Sequence, residues 1–247
     1  MTELAIIGGT GLTSLANLQI TRREVVHTPY GEPSGPLVFG TLGGKEVVFL
    51  PRHGAGHTIP PHRVNYRANI WALHNTGVRK VIAVAAVGGI HPSLAPETLT
   101  VPDQLIDYTW SRASTFFEDD LSHVTHIDFT RPYAESVRQL ILNACRVAKL
   151  DVIDGGVYGA MQGPRLETAA EITRMERDGC TMVGMTGMPE AALARELELE
   201  YATCAVVANW AAGRGGGETI EMSDIERILK HGMAKVRTLL EHAVPLL

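Results

Sequence analysis

Residues 4–11 read Leu-Ala-Ile-Ile-Gly-Gly-Thr-Gly, an apolar run of strand length that passes directly into a glycine-rich turn. Similar apolar runs return along the chain, separated by segments whose apolar residues follow helical spacing. Several of the runs are apolar on both faces, which is typical of central strands covered by helices. The alternation predicts an α/β fold with a central β-sheet flanked by helices.

Strands and helices can be assigned from these patterns. The strands are expected at Leu4–Ile7, Val47–Leu50, Val81–Ala85, Val101–Ile106, Val157–Met161 and Tyr201–Ala208. Helices are expected at Val64–Thr76, from a first turn containing Pro132 through Cys145, and after the capping-box patterns Thr168–Glu171 and Ser223–Glu226. The segment 183–190 is expected to be a strand–turn–helix junction, and 213–217 a flexible loop that acts as a lid. No linker or repeat divides the sequence, so we expect residues 1–247 to form a single domain.

The composition is that of an ordinary globular protein. Of 247 residues, 45% are hydrophobic and 20% charged, and the net charge of −5 argues against binding to nucleic acid or anionic membranes. The N-terminal segment lacks the basic and apolar regions of a signal peptide, and no apolar run is long enough to span a membrane. Cys145, Cys180 and Cys204 lie far apart in apolar stretches, so we expect free buried thiols and a cytoplasmic location.

The turn Gly8–Gly11 is a candidate anion site. Its backbone amides can surround an oxyanion, and the Thr10 hydroxyl adds a donor. A dinucleotide-binding loop also begins after a first strand, but that motif requires a third glycine where this chain has Ser14. A nicotinamide-dependent reductase and a simple tight turn therefore stay open as alternatives at this point.

Other donors and small residues follow strand ends. Arg52 offers a planar fork suited to phosphate oxygens, and His53 one more N–H donor. Small residues at 84–89 allow a ligand to approach the backbone. In the junction at 183–190, Met185 can lie against a sugar ring and Thr186 can donate to phosphate. Together with Thr10, these groups are spread as binding of a free oxyanion requires.

Glu167 and Asn209 suit a 6-oxopurine ring. A carboxylate accepts a hydrogen bond from the ring N1–H, whereas a carboxamide donates to O6 and accepts from a protonated N7. A 6-aminopurine presents the opposite pattern at N1 and N6. The pair therefore predicts preference for a 6-oxopurine.

The sequence offers no metal or covalent chemistry. His57, His62 and His126 lack metal-ligand spacing, so we expect no metal. There is no Gly-x-Ser-x-Gly motif, and no cysteine has a histidine neighbour suited to activate it.

Taken together, the motifs resemble the family of trimeric purine nucleoside phosphorylases and methylthioadenosine phosphorylases, over nearly the whole chain. The blocks that carry the resemblance are Gly8–Gly11, Arg52–Gly54 with His57–Ile59, Val64–Leu73, Gly163–Arg165 and Met185–Glu190. The resemblance implies the nucleoside phosphorylase fold with a central mixed β-sheet, a homotrimer, and cleavage of a purine nucleoside by inorganic phosphate without any cofactor.

The resemblance also assigns roles residue by residue. It places the phosphate on Thr10, Arg52, His53, the backbone at Ala86 and Thr186. It places the sugar on Met185 and the base at Leu166, with Glu167 and Asn209 as the catalytic base-binding pair. Where the family usually has Thr or Asn, this chain has Ala85.

The two ends of the substrate point to different branches of the family. Methylthioadenosine-specific members have serine in place of Glu167 and aspartate in place of Asn209, so the base site resembles the 6-oxopurine branch. Members that cleave inosine or guanosine have a histidine on the C-terminal helix where this chain has Ile225, followed by Ile228. By family analogy, His57 and a neighbouring subunit's His126 line the same 5′ pocket.

An apolar 5′ pocket with a 6-oxopurine site implies S-methyl-5′-thioinosine as substrate. The alternatives within the family are a 6-oxopurine nucleoside phosphorylase acting on inosine or guanosine, and a methylthioadenosine phosphorylase. A nucleoside-binding protein without turnover is a further alternative, motivated by Ala85.

Overall fold

A computed structural model describes residues 2–119, 122–216 and 220–247. The strands are β1 (Leu4–Gly8), β2 (Gln19–Glu24), β3 (Leu37–Leu42), β4 (Lys45–Pro51), β5 (Lys80–Gly89), β6 (Leu99–Val101), β7 (Gln104–Asp107), β8 (Val152–Asp154), β9 (Val157–Ala160), β10 (Met182–Gly184) and β11 (Glu200–Trp210). The helices are α1 (Tyr66–Asn75), α2 (Glu135–Ala148), α3 (Ala169–Arg177), α4 (Gly187–Glu196) and α5 (Met222–Ala243), with short 3₁₀ turns at Pro61–Arg63 and Val244–Leu246.

The described strands form one eleven-stranded mixed sheet with helices packed against it, which confirms the predicted fold class. Strand β5 lies at its centre and pairs in parallel with β1 on one side and with β11 on the other. One arm of the sheet runs in the order β2-β3-β4-β1-β5-β10-β9-β7, and β11 leads from β5 to β6 and β8. Because β5 and β11 are buried along most of their length, both read as nearly continuous apolar runs.

The direction of the strands determines where a ligand can bind. Strands β1, β4, β5 and β11 run parallel, so their carboxyl ends meet at one edge of the sheet. Strand β10 runs antiparallel to the end of β5, with Met182 opposite Gly89 and Val183 opposite Gly88. The chain that leaves β10 therefore returns toward the same edge and carries Met185 and Thr186 back alongside β5.

A β-bulge in β11 changes which side of the strand its last residues face. Val207 pairs with Val87 but Asn209 pairs with Gly88, so Ala208 is an extra residue. In a regular strand, residues two apart point to the same side. Because of the bulge, Val207 is buried in the core while Asn209 is left partly exposed at the carboxyl edge.

Two of the predicted element boundaries are wrong near prolines. The run Val101–Ile106 is two strands, β6 and β7, because Pro102 has no N–H for the ladder and Asp103 accepts a hydrogen bond from the Gly156 amide instead. Pro132 precedes helix α2 rather than lying in its first turn, since Ala134 N–H is held by the Tyr201 carbonyl of β11 at 2.8 Å.

Of the two capping boxes, only the one at Thr168 is confirmed. Both reciprocal hydrogen bonds between Thr168 and Glu171 are present at the start of α3. Helix α5 begins at Met222, so Ser223 is already inside the helix and does not cap it. Strands β2, β3 and β8 were not predicted; β2, for example, is exposed along its whole length and has no apolar alternation.

The three cysteines are buried free thiols, as predicted. Burial raises the pKa of Cys145 to about 11, which leaves it protonated and unreactive near neutral pH. Over the described ranges, no helix is both long and apolar enough to cross a bilayer.

Candidate active site

A cavity of about 540 Å³ opens at the carboxyl edge of the sheet. All but two of the residues singled out in the sequence line it, although they come from distant parts of the chain. They are Thr10, Arg52, His53, His57, Ala86, Leu166, Glu167, Met185, Thr186, Asn209 and Ile225. The two that do not line it are His126 and Ile228.

The glycine-rich turn lets three strands approach closely at the cavity floor. A Cβ on Gly9 would come within 2.4 Å of the Val84 carbonyl oxygen and 3.0 Å of Arg52 Nη1, so only glycine fits there. The Arg52 N–H donates to the Gly8 carbonyl at 2.9 Å, which ties the end of β4 to the end of β1. These contacts place Thr10 and Arg52 beside each other.

Arg52 is fully buried and paired with a residue that sequence reasoning did not assign to the site. Its Nε and Nη2 donate to the two carboxylate oxygens of Glu190 at 2.6 and 2.7 Å, and its Nη1 donates to the Val84 carbonyl at 2.9 Å. Glu190 also accepts a hydrogen bond of 2.8 Å from the Tyr201 hydroxyl. Burial disfavours the charge on Arg52, but the Glu190 carboxylate outweighs this and holds the pKa of Arg52 above its ordinary value.

This pairing corrects one detail of the sequence interpretation. The planar fork of Arg52, expected to grip phosphate, is occupied by Glu190. A guanidinium has five N–H donors, of which three are used by Glu190 and Val84. One N–H on Nη1 and one on Nη2 are left for a ligand in the cavity.

His53 donates its N–H to the backbone rather than to a ligand, so the nitrogen left for the cavity is an acceptor and not the donor predicted from the sequence. Its Nδ1 lies 2.8 Å from the Ile59 carbonyl oxygen, which can only accept, so Nδ1 carries the proton. Burial, with the neighbouring Arg52 charge, lowers the pKa of His53 to about 4. The neutral ring therefore presents the lone pair of Nε2, which suits the protonated oxygen of hydrogenphosphate.

His57 lies next to Thr10. Its Nε2 is 3.1 Å from the Thr10 hydroxyl oxygen, and its ring centroid is 4.9 Å from that of His53. The two histidines and Thr10 therefore form one polar wall of the cavity.

Met185 and Thr186 also line the cavity, and a second unpredicted residue supports the backbone at Met185. Gly163 packs against Met185 so closely that a Cβ would lie 2.4 Å from its sulfur. Arg112 donates to the carbonyl oxygens of Met185 and Gln162 at 2.9 and 2.8 Å, and so joins the chain ends that leave β10 and β9. No local motif marked Arg112, because it lies in a polar loop and its partners are distant in sequence.

The two residues assigned to the base lie in the same cavity. Burial raises the pKa of Glu167 above its ordinary value, and within the described ranges no other side chain hydrogen-bonds its carboxyl group. The Asn209 Nδ2 donates to the Trp210 carbonyl oxygen at 2.7 Å. This bond identifies the amide nitrogen and leaves Asn209 with one N–H donor and its Oδ1 acceptor for a ligand.

Helix α5 supplies an apolar end to the cavity, with a different set of residues from that predicted. Met222, Ile225 and Leu229 line the cavity, at positions i, i+3 and i+7 of one helix face. Ile228 is buried but lies off that face. The spacing of Leu229 relative to Ile225 is the signal that would have found it.

His126 lies in an exposed loop and does not reach the cavity of its own chain. The first part of the glycine-rich loop is tied down, since Arg214 donates to Glu176 of α3 at 2.7 Å. Gly217, the last residue of the predicted lid, lies outside the described residues. Within the ranges that the structure describes, no group of three His, Cys, Asp or Glu side chains is arranged to hold a metal ion.

This chain resembles known nucleoside phosphorylases both in sequence and in structure. The model of the phosphorylase superfamily matches residues 3–245. A probable S-methyl-5′-thioinosine phosphorylase from Pseudomonas syringae pathovar tomato is 56% identical over 97% of each chain. A 6-oxopurine nucleoside phosphorylase from Pyrococcus furiosus is 44% identical, covering 100% of this chain and 94% of the relative. A crystal structure of methylthioadenosine phosphorylase from Schistosoma mansoni with adenine superposes with a TM-score of 0.94 at 33% identity, covering 100% and 92% of the two chains.

Proposed function

Because the chain belongs to the phosphorylase superfamily, in its family of purine nucleoside and methylthioadenosine phosphorylases, we propose that it cleaves S-methyl-5′-thioinosine with inorganic phosphate. The products are hypoxanthine and 5-methylthioribose 1-phosphate, and the reaction is a pentosyl transfer in purine salvage. One observation carries the substrate: a carboxyl group and a carboxamide lie in the same cavity as an apolar helix face.

The base end favours a 6-oxopurine. Glu167 offers a carboxylate to the ring N1–H, and Asn209 keeps one N–H for O6 and its Oδ1 for a protonated N7. The names of the relatives agree, since those at 56% and 44% identity are named for a thioinosine and for 6-oxopurine nucleosides.

The sugar end favours a 5′-methylthio group over a hydroxyl. Met222, Ile225 and Leu229 offer methyl and methylene groups and a thioether, but no donor or acceptor strong enough to replace water at a hydroxyl. A buried hydroxyl without a partner costs about 1–3 kcal/mol. Within one chain, the Nε2 of His57 already pairs with the Thr10 hydroxyl, so the apolar face disfavours inosine and guanosine. Glu167 with Asn209 disfavours methylthioadenosine.

Phosphate occupies the polar wall in this proposal. Two N–H groups of Arg52, the hydroxyls of Thr10 and Thr186 and the backbone at Ala86 donate to its oxygens. The Nε2 lone pair of His53 accepts a hydrogen bond from the protonated oxygen of hydrogenphosphate. Near pH 7 Arg52 stays charged but is paired with Glu190, and His53 stays neutral, so the wall holds the anion through hydrogen bonds from fixed N–H and O–H groups rather than through net positive charge.

The mechanism follows from these positions. The C1′–N9 bond breaks, its electron pair moves into the purine, and the purine takes up a proton from solvent at N7; a phosphate oxygen then forms the new bond to C1′ of the positive sugar. Asn209 stabilises the charge that develops at N7 and O6, an effect worth about 3–4 kcal/mol for a donor of this type. Glu167 fixes the ring, and the phosphate dianion stabilises the positive sugar before adding to it. Positioning and electrostatics perform the reaction, without any cofactor.

The assembly and the location belong to the proposal as well. The whole chain acts as one catalytic domain in a cytoplasmic homotrimer, in which His126 reaches the 5′ pocket of a neighbouring subunit. The exposed position of His126, in the segment between β7 and α2, is compatible with such a contact.

The test is base release from methylthioinosine, methylthioadenosine and inosine, each with and without phosphate. We expect phosphate-dependent hypoxanthine release, with the highest kcat/KM for methylthioinosine. Preference for inosine would contradict the role of the apolar face, and preference for methylthioadenosine would contradict the reading of Glu167 and Asn209. Binding without phosphate-dependent turnover would contradict the reaction itself.

A further inference from the structure

His57 adopts a backbone conformation that favours glycine. Its φ is 51°, in the left-handed region, and its N–H donates to the Gly54 carbonyl at 3.1 Å to close a tight turn. Glycine would adopt this conformation without strain. A strained non-glycine residue at the mouth of a functional cavity suggests that its side chain has a task there.

The side chain of His57 contacts Thr10, the third member of the polar wall. Nε2 of His57 lies 3.1 Å from the Thr10 hydroxyl oxygen, which has no other hydrogen-bond partner among the described residues. The ring of His57 also lies 4.9 Å from that of His53, the other histidine of the polar wall.

A hydroxyl has one proton, and its direction decides what Thr10 can offer. If Nε2 of His57 carries a proton, it donates to the Thr10 oxygen, and the Thr10 proton is free to point at an anion. If Nε2 is unprotonated, the Thr10 hydroxyl donates to His57 and turns a lone pair toward the cavity. A phosphate dianion, with mostly unprotonated oxygens, favours the first arrangement.

We infer that His57 is a positioning residue for phosphate: it donates from Nε2 to Thr10 and so orients the Thr10 hydroxyl as a donor to the anion. The inference rests on the proposed function for its phosphate and goes beyond it, since family resemblance places His57 only at the 5′ group. Loss of the ring lets the Thr10 hydroxyl rotate freely and weakens phosphate binding, while the nucleoside is held mainly by other residues.

The test compares the KM for phosphate with the KM for nucleoside in His57→Gly, which keeps the left-handed turn and removes the ring. We expect the KM for phosphate to rise about tenfold and the KM for methylthioinosine to change less than threefold. His57→Gln places an amide N–H at similar reach and is expected to restore most of the phosphate affinity. A rise confined to the nucleoside KM would overturn the inference.

A double-mutant cycle with Thr10→Ala tests the coupling directly. Once Thr10 has lost its hydroxyl, removing the His57 ring should raise the phosphate KM no further. If the two effects instead multiply, His57 acts independently of Thr10 and the inference is wrong. The control is Lys149→Gly, which relieves another left-handed residue, φ 55°, at the exposed end of α2, and should leave both KM values unchanged.

Calorimetric titration with inorganic phosphate alone separates this inference from the proposed function. If the unmodified protein releases no base from any of the three nucleosides, the proposed function fails. The titration still tests the His57–Thr10 pair, because weaker phosphate binding by His57→Gly supports it and equal binding refutes it.

Discussion

Glu190 accepts hydrogen bonds from both Nε and Nη2 of Arg52, at 2.6 and 2.7 Å, and neither side chain is more than 1% exposed. The ion pair joins the start of helix α4 to the end of strand β4, across 138 residues of sequence. It fixes the guanidinium plane, and with it the direction of the two N–H groups left for phosphate. In the proposed function, Glu190 therefore acts on phosphate through Arg52, without lining the cavity itself.

Glu190→Gln is expected to lower the free energy of unfolding by about 3–5 kcal/mol, because it leaves the Arg52 charge buried without a counter-charge. The KM for phosphate should rise as the guanidinium loses its fixed plane. Urea denaturation and steady-state kinetics measure the two effects. Glu46→Gln, in an exposed pair with Arg22, is the matched control and should cost less than about 1 kcal/mol. Equal losses in the two variants would show that the buried pair has no special weight.

His53 makes stability depend on pH. Its pKa is about 4 in the folded chain, against about 6.5 when unfolded, so between these values the unfolded state binds more protons. The contribution of the neutral ring is therefore fully present above pH 6.5 and is lost as the pH falls toward 4. The full difference is on the order of 3 kcal/mol.

The measurement for this prediction is the urea midpoint of the unmodified chain and of His53→Gln, followed from pH 7.5 to 4.5. The variant should lose less stability than the unmodified chain over that interval. Parallel curves would mean that His53 does not titrate abnormally.

Asn209→Asp should shift base preference toward the 6-aminopurine. The carboxylate can accept from an exocyclic amino group, but it also faces the Trp210 carbonyl oxygen, at 2.7 Å from the present amide nitrogen. Two oxygens without a proton between them repel, so overall activity should fall by about 10²-fold. The activity on methylthioinosine should fall more than that on methylthioadenosine, so the ratio of the two kcat/KM values should also decrease. Asn209→Ala is the control, expected to lose activity on both without favouring the amino base.

Ile225→His should improve the use of inosine, because an imidazole facing the cavity can hydrogen-bond the 5′-hydroxyl. A recovered hydrogen bond of about 1–2 kcal/mol corresponds to roughly a tenfold gain in kcat/KM for inosine relative to methylthioinosine. Ile228→His, on the same helix but off the cavity face, should give no such gain. The same gain from both positions would refute the assignment of the 5′ wall to Ile225.

The sequence predicted the cavity residues that lie at or directly after the end of a strand. Thr10, Arg52 and Asn209 each follow or end an apolar run, and parallel strands bring such ends together. The predicted strands at the centre of the sheet were found, because burial on both faces leaves a continuous apolar signal.

The features that the sequence did not reveal depend on contacts between distant residues, or on which face of a helix is turned toward the cavity. Glu190 was visible as part of a motif, but nothing local indicates that it occupies the fork of Arg52. Arg112 binds carbonyl oxygens 50 and 73 residues away, which no spacing rule predicts. The tautomer of His53 is decided by the Ile59 carbonyl and not by its neighbours in sequence. Ile228 was predicted because it lies one turn after Ile225, and only packing shows that Leu229 lines the cavity instead.

The residues that line the cavity extend along the sequence from Gly9 to Leu229, so the wall contains parts of nearly the whole chain. During synthesis, the 5′ end of the site cannot exist until helix α5 has left the ribosome and docked on β11. A ligand that spans the cavity thus recognises only the fully folded chain, so its binding energy adds to the stability of the whole sheet and not to that of one segment. Nucleoside and phosphate together should slow amide exchange in β1, β4, β5 and β11 alike. Substrate would then stabilise this enzyme only after the last helix has folded.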